Sequence, residues 1–119
     1  MKLTEAEWSV LTVLWSGERF ALAEVTQALK EEKNWSRNTV HTYLTRMAAK
    51  GLVAIDHAQE KPYEAAVARE ECARAERQDL LNRVYGGAAG DLVVAFLQES
   101  KMSEKEVERL RKLLDEMEV

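Results

Sequence analysis

Three features of the 119-residue sequence predict a mainly α fold with one small β-hairpin. Apolar residues recur at helical spacing through most of the chain, and Ser/Thr-x-x-Glu signatures mark helix starts at Thr4 and Ser103. One proline and five glycines leave room only for short loops. Between the helices, a single stretch from Leu52 to Val67 alternates as strands do.

The first helix is announced by Leu3-Thr4-Glu5-Ala6-Glu7-Trp8. Thr4 and Glu7 can each satisfy the other's free backbone N–H, and Leu3 and Trp8 are spaced for a hydrophobic staple. Trp8, Leu11, Leu14 and Trp15 follow as an apolar stripe, so the two tryptophans read as core rather than as a ligand cage, and Gly17 ends the helix. Leu22 to about Lys33 reads as a second helix with Val25, Ala28 and Leu29 inward. Ser36 then caps a third, in which Val40, Leu44 and Met47 face the core and Gly51 closes the end. Two helices joined by a tight turn form a helix-turn-helix. Leu52–His57 and Pro62–Val67 read as strands around Ala58-Gln59-Glu60-Lys61, which makes the hairpin a wing.

From Arg69 the character changes. Arg69 to Tyr85 is helical, with Leu80, Leu81 and Val84 on it, and ends at Gly86-Gly87. A helix carrying Leu92, Val93, Phe96 and Leu97 follows. The Ser103–Glu106 capping box opens a last one, with Val107, Leu110, Leu114 and Met117 on one stripe. Some 50 residues are too few to bury a stable core alone. The sequence therefore divides into a winged helix-turn-helix at 1–67 and a C-terminal helical dimerisation module at 68–119, whose apolar stripes are the expected contact between copies.

Function is sought in the third helix. The chain is acidic, with a net charge of −4, yet its 23 residues from Lys33 to Ile55 hold no Asp or Glu. With the core positions removed, Arg37, Asn38, His41, Thr42, Thr45 and Arg46 remain outside. Arginine reads guanine bidentately, asparagine reads adenine, and threonine bonds a base edge or touches the thymine methyl. Arg37 at the helix start and Lys61 at the wing tip are placed for phosphates. Such a face suits double-stranded DNA. The alternative is a winged-helix module that binds protein with the same surface, but that would expose Leu, Phe or Tyr anchors there.

Other classes find little support. Residues 1–67 carry a net −1 and residues 68–119 a net −3, which argues against a protein that coats nucleic acid indiscriminately. His41 and His57, the only histidines, fall on the groove face and on a wing strand, with no shared cleft expected. Cys72 reads as a small buried residue of the second module rather than a redox sensor. No phosphate-cradling glycine loop, metal-binding repeat or catalytic order stands out, so neither an enzyme nor a cofactor or metal is expected. MKLTEAEW lacks a signal-peptide core and no apolar run reaches the roughly 18 residues of a span, so a cytoplasmic protein without membrane insertion is expected.

Taken together, LTEAEWSVLTVLW at 3–15, EVTQAL at 24–29, WSRNTVHTYLTRMAAKGLV at 35–53, AREE at 68–71, LLNRVYGG at 80–87 and MSEKEVERLRKLLDE at 102–116 resemble the penicillinase/methicillin-resistance repressor family, the BlaI/MecI type, with its copper-gene relatives. The resemblance implies a homodimeric repressor with winged-helix heads, intertwined C-terminal helices and a palindromic operator in front of resistance or stress genes. It implies that Arg37, Asn38, Thr39, His41 and Thr42 face or approach that operator. His41 stands where the resistance repressors often have arginine. The resemblance also implies a protease of a membrane-sensor pathway as partner, cutting an Asn-Phe bond after the Gly-Gly turn. Here the candidate bond is Ala95-Phe96, in which the Phe matches and the Asn does not. The paired Cys-x-Cys motifs of the copper-responsive relatives have no counterpart in LLDEMEV.

Overall fold

A computed structural model of the chain describes residues 2–117. Its elements run α1 (Glu5–Leu14), α2 (Leu22–Ala28), α3 (Lys30–Lys33), α4 (Arg37–Ala49), β1 (Val53–Ile55), β2 (Tyr63–Ala65), α5 (Arg69–Tyr85), α6 (Ala89–Glu99) and α7 (Glu104–Glu116). They form two compact units divided between Arg77 and Gln78.

In the first unit local signals do most of the placing. The Thr4–Glu7 box is complete: the Glu7 N–H donates to Thr4 Oγ1 at 3.1 Å and the Thr4 N–H to Glu7 Oε1 at 2.9 Å. Ser36 Oγ accepts from the Thr39 N–H at 3.2 Å and starts α4. At the other end of α4, Gly51 takes φ +81°, a left-handed conformation that side chains with a Cβ rarely adopt. The Leu52 N–H then reaches back to the Met47 carbonyl at 2.9 Å and the Gly51 N–H to that of Ala48 at 3.0 Å. This paired closure turns the chain directly into β1.

β1 and β2 are antiparallel, with Val53 opposite Ala65, Ala54 opposite Glu64 and Ile55 opposite Tyr63. The strands are shorter than the alternation predicts, because Asp56 to Pro62 forms a broad turn; His57 lies in that turn and not on a strand. Asp56 organises it, its carboxylate accepting from the Ala58 N–H at 3.0 Å. Leu3, Val10, Leu11, Leu14, Val25, Leu29, Val40, Leu44, Met47, Leu52, Val53 and Tyr63 are all buried in one core. Trp8 and Trp15 pack edge to face against its rim with ring centroids 5.8 Å apart, and Trp15 Nε1 donates to the Val67 carbonyl at 2.9 Å. They are structural aromatics, as their spacing predicts.

Two expectations are corrected here. The second helix is not continuous: it breaks at fully buried Leu29, and Ala28 is exposed rather than inward. Lys30-Glu31-Glu32-Lys33 offers no apolar side chain to hold a straight continuation on the core, so the chain bends there. It ends at Asn34 in the left-handed conformation, φ 52°. Cys72, read as part of the second module, is 1% exposed and belongs to the core of the first unit, which runs through the opening turns of α5.

The second unit holds the end of α5, then α6 and α7. Gly86 and Gly87, at φ +55° and +88°, turn the chain between α5 and α6. Ser103 Oγ caps α7 by accepting from the Glu106 N–H at 3.2 Å. A cleft of about 360 Å³ between α6 and α7 is lined by Val93, Phe96, Leu97, Met102 and Leu110 among others. Val84, Val93, Val94, Phe96, Leu97, Leu113, Leu114 and Met117 are all exposed, and Phe96 keeps 58% of its surface open. Among the described residues these are the exposed large hydrophobics, and every one lies between 84 and 117. Among the described residues no single helix is long and apolar enough to cross a membrane.

Candidate nucleic-acid interface

The core residues Val40, Leu44 and Met47 fix which side of α4 faces out. Arg37, Asn38, His41, Thr42, Thr45 and Arg46 are all exposed on that outer side. Two hydroxyls are partly committed. Thr42 Oγ1 donates to the Asn38 carbonyl at 2.9 Å, which leaves its methyl and an oxygen lone pair outward. Thr39 is half-buried, with its hydroxyl 3.1 Å from that of Ser36, so it belongs to the helix cap as much as to the outer face. No large hydrophobic is exposed on α4. The face thus lacks the apolar anchors a protein-binding surface would carry.

The acid-free window is not free of acids in space. Lys33 Nζ lies 3.2 Å from Glu5 Oε1, and Lys50 Nζ lies 2.7 Å from Glu7 Oε2, so α1 supplies a carboxylate to each end of the segment. Lys61 Nζ, in the wing, lies 3.1 Å from Glu24 Oε2 on α2. Glu24 also accepts from the Ala21 N–H at 2.8 Å. That backbone bond first, and Lys61 second, hold its carboxyl below the usual range. Burial pulls the Glu7 carboxyl upward, but the bonds from Lys50 and from the Thr4 N–H outweigh it and leave the group below the usual range. Among the described residues, Arg37 and Arg46 have no ion-pair partner. Among the cations of the acid-free segment and the wing, the two arginines of α4 are therefore the ones open to a ligand.

Two features of this region escape sequence reading. Trp35 and Tyr43 stack with centroids 4.5 Å apart and planes 16° apart, and Lys33 lies 5.8 Å from the Trp35 ring centroid, which braces the start of α4. Arg19, in the loop after α1, reaches the wing: Nε donates to the Lys61 carbonyl at 2.8 Å and Nη2 to the Pro62 carbonyl at 2.9 Å, while Nη1 pairs with Glu64. The Trp35–Tyr43 spacing of a pre-cap residue and one two turns later could have flagged the first. Arg19 has no local signal, since its partners lie more than 40 positions away. Among the described residues no group of three His, Cys, Asp or Glu side chains is placed to hold a metal ion.

Comparison with known proteins gives this arrangement its context. The family model described as "Penicillinase repressor" matches residues 3–116. The methicillin resistance regulatory protein MecI of Staphylococcus aureus (strain N315) is 26% identical over 96% of this chain and 94% of its own length. The penicillinase repressor of Bacillus licheniformis is 28% identical over 97% of this chain and 91% of its own. That of Staphylococcus aureus is 24% identical over 98% and 94%. Among solved structures, a MarR/EmrR family transcriptional regulator from Acinetobacter sp. ADP1 aligns over 97% of this chain and 78% of that one, at 16% identity and a TM-score of 0.46. At that score the winged-helix assignment rests on the element order and register above. With a match running from α1 to the end of α7, the chain belongs to the penicillinase repressor family, and it is a transcriptional repressor rather than an enzyme.

Proposed function

We propose that two copies of the chain associate through the apolar faces of the C-terminal helices, and that the dimer represses transcription by seating α4 of each head in the major groove of a two-fold symmetric operator. In this reading the winged-helix head, which includes the opening turns of α5, binds double-stranded DNA, and the helices beyond it join the copies. The observation that carries it is the outer side of α4. It exposes Arg37, Asn38, His41, Thr42, Thr45 and Arg46, with no carboxylate and no large apolar side chain, and its two arginines are unpaired. Asn38, His41, Thr42 and Thr45 have the donors and acceptors to read base edges, while Arg37 and Arg46 can take phosphate or guanine. Lys61 reaches a flanking phosphate by leaving Glu24.

The dimer follows from the same economy. Eight exposed large hydrophobics between 84 and 117 are more than a monomeric surface normally tolerates in one region. A second copy would cover them, and a two-fold dimer would set the two heads on half-sites related by that axis. The relatives' names point to resistance genes as the regulated class. Relief of repression by a protease of a membrane-sensor pathway would act at Ala95-Phe96, in the middle of α6, and would break the apolar face that joins the copies. The protein acts in the cytoplasm, where an operator is accessible.

The test is selection of bound duplexes from a random pool with the purified protein, then titration of the selected duplex at two salt concentrations. A two-fold symmetric site bound far more tightly than random DNA is expected. Weak, motif-free, strongly salt-dependent binding would remove the groove reading.

A further inference from the structure

The wing is gripped from outside the hairpin, by the loop that joins α1 to α2. Phe20 pairs with Tyr63 as a one-residue third strand, through backbone bonds of 2.8 and 3.0 Å. Arg19, one residue earlier, extends this grip along the returning arm of the wing. Its guanidinium serves the carbonyls of Lys61 and Pro62 and the carboxylate of Glu64 together. The Lys61 carbonyl held this way belongs to the residue whose ammonium is at the exposed edge, paired with Glu24. A planar fork that satisfies three acceptors fixes their relative positions, which a lysine ammonium on a flexible stem does not reproduce.

We infer that Arg19 is a positioning residue for operator binding: it fixes the backbone of the wing at Lys61, so that the Lys61 ammonium starts from one defined place at the exposed edge of the wing. This rests on the DNA-binding reading above and deepens it. Arg19 itself is turned inward onto the wing. Its charge is answered by Glu64, so its influence on DNA passes through Lys61 and not through a phosphate of its own. The surrounding contacts argue for a dedicated role. The wing turn lacks an Asn-Gly or Asp-Gly pair, and the Asp56 bonds that close it stay within the hairpin, so its placement against the rest of the head comes from outside the turn. Among the described residues, the polar contacts that supply it are those of Arg19, the Phe20–Tyr63 pairing and the Lys61–Glu24 pair.

The experiment is a double-mutant cycle on the duplex selected from the random pool, with Arg19→Gln, Lys61→Ala and the pair together. Arg19→Gln and Lys61→Ala are each expected to weaken binding by roughly five- to tenfold, the scale of one lost phosphate contact at moderate salt. In the Lys61→Ala background, Arg19→Gln is expected to cost less than about twofold, and the salt slope should not fall further. Arg19→Lys, which keeps the charge and loses the fork, is expected to bind like Arg19→Gln. Additive losses in the cycle, or wild-type affinity in Arg19→Lys, would overturn the inference. If Arg19→Gln fails to melt cooperatively, Glu64→Gln replaces it in the cycle, with smaller but still coupled losses expected; additivity there overturns the inference equally. A wild-type protein that selects no duplex at all is a different result, because it removes the DNA-binding reading before any variant is made.

Discussion

Phe96→Asp is the sharpest perturbation of the proposed dimer. Phe96 projects from the middle of α6 with 58% of its surface open, on a face shared with Val93 and Leu97. A phenylalanine buries on the order of 200 Å² when fully enclosed, so roughly 120 Å² remains for a partner to cover. At about 25 cal/mol per Å² that contact is worth roughly 3 kcal/mol for each copy, or about 6 kcal/mol for a two-fold dimer in which both are covered. Replacing both rings with carboxylates also desolvates two like charges across the axis. Dissociation is thus expected to become easier by roughly four orders of magnitude. Sedimentation equilibrium over a wide concentration range measures it directly, with far-UV circular dichroism to confirm that the helices persist. A Phe96→Asp protein that remains folded and dimeric with a dissociation constant within tenfold of wild type would falsify the placement of α6 in the interface.

Three further outcomes are expected. Asn38→Ala should relax the preference for one base and cost about 1–3 kcal/mol in operator binding, whereas Arg46→Ala should weaken binding to many duplexes and flatten its salt dependence; unchanged selectivity in Asn38→Ala, read by competition with single-base variants, counts against a base contact. The Glu7 carboxyl is held below its usual range by Lys50 and Thr4 in spite of burial, so the stability it contributes is complete above the unfolded-state glutamate value of about 4.3 and drains away as pH falls through the lower folded value. Glu7→Gln should flatten that acid limb of a melting-temperature profile, and an unaltered limb would show that other carboxylates set it. Burial, with Glu71 beside it, pushes the Cys72 thiol up, so a thiol reagent should modify it only at the rate at which the head opens, and rapid labelling of the native protein would contradict its place in the core.

The parts legible in the sequence are those specified within one or two turns of chain. Thr4 with Glu7 and Ser36 with Thr39 are neighbours in sequence, so the starts of α1 and α4, and hence the outward side of α4, follow from local rules. Gly51 and Gly86-Gly87 mark ends for the same reason. What the sequence hides is set by distant partners. The break at Leu29 depends on where the core sits, and the place of Cys72 on which unit the start of α5 packs with. The neutralisation of Lys50 by Glu7 joins residues 43 positions apart, and that of Lys61 by Glu24 joins residues 37 apart. The acid-free window is therefore a poor guide to how much charge its surface offers, because glutamates distant in sequence pair with its lysines.

That last difference bears on how an acidic protein can hold an operator. Lys33, Lys50 and Lys61 are each paired with a glutamate from α1 or α2, which among the described residues leaves Arg37 and Arg46 as the unpaired cations of α4. If Arg37, Arg46 and Lys61 of each copy neutralise one phosphate apiece, a dimer engages about six, and its affinity should fall by roughly three orders of magnitude between 50 and 200 mM salt, the low end of the range set by six to ten contacts. So modest an electrostatic contribution keeps a single head from adhering to arbitrary DNA, in keeping with the net charge of −4. On the proposed reading, the remaining affinity comes from base edges read by Asn38, His41, Thr42 and Thr45, and from joining two heads so that the second binds as an intramolecular event. Separating the copies then costs far more than half the binding. The proposed dimer contact of α6 and α7 would then be coupled to the polar face of α4, and a change that parts the copies would release the operator.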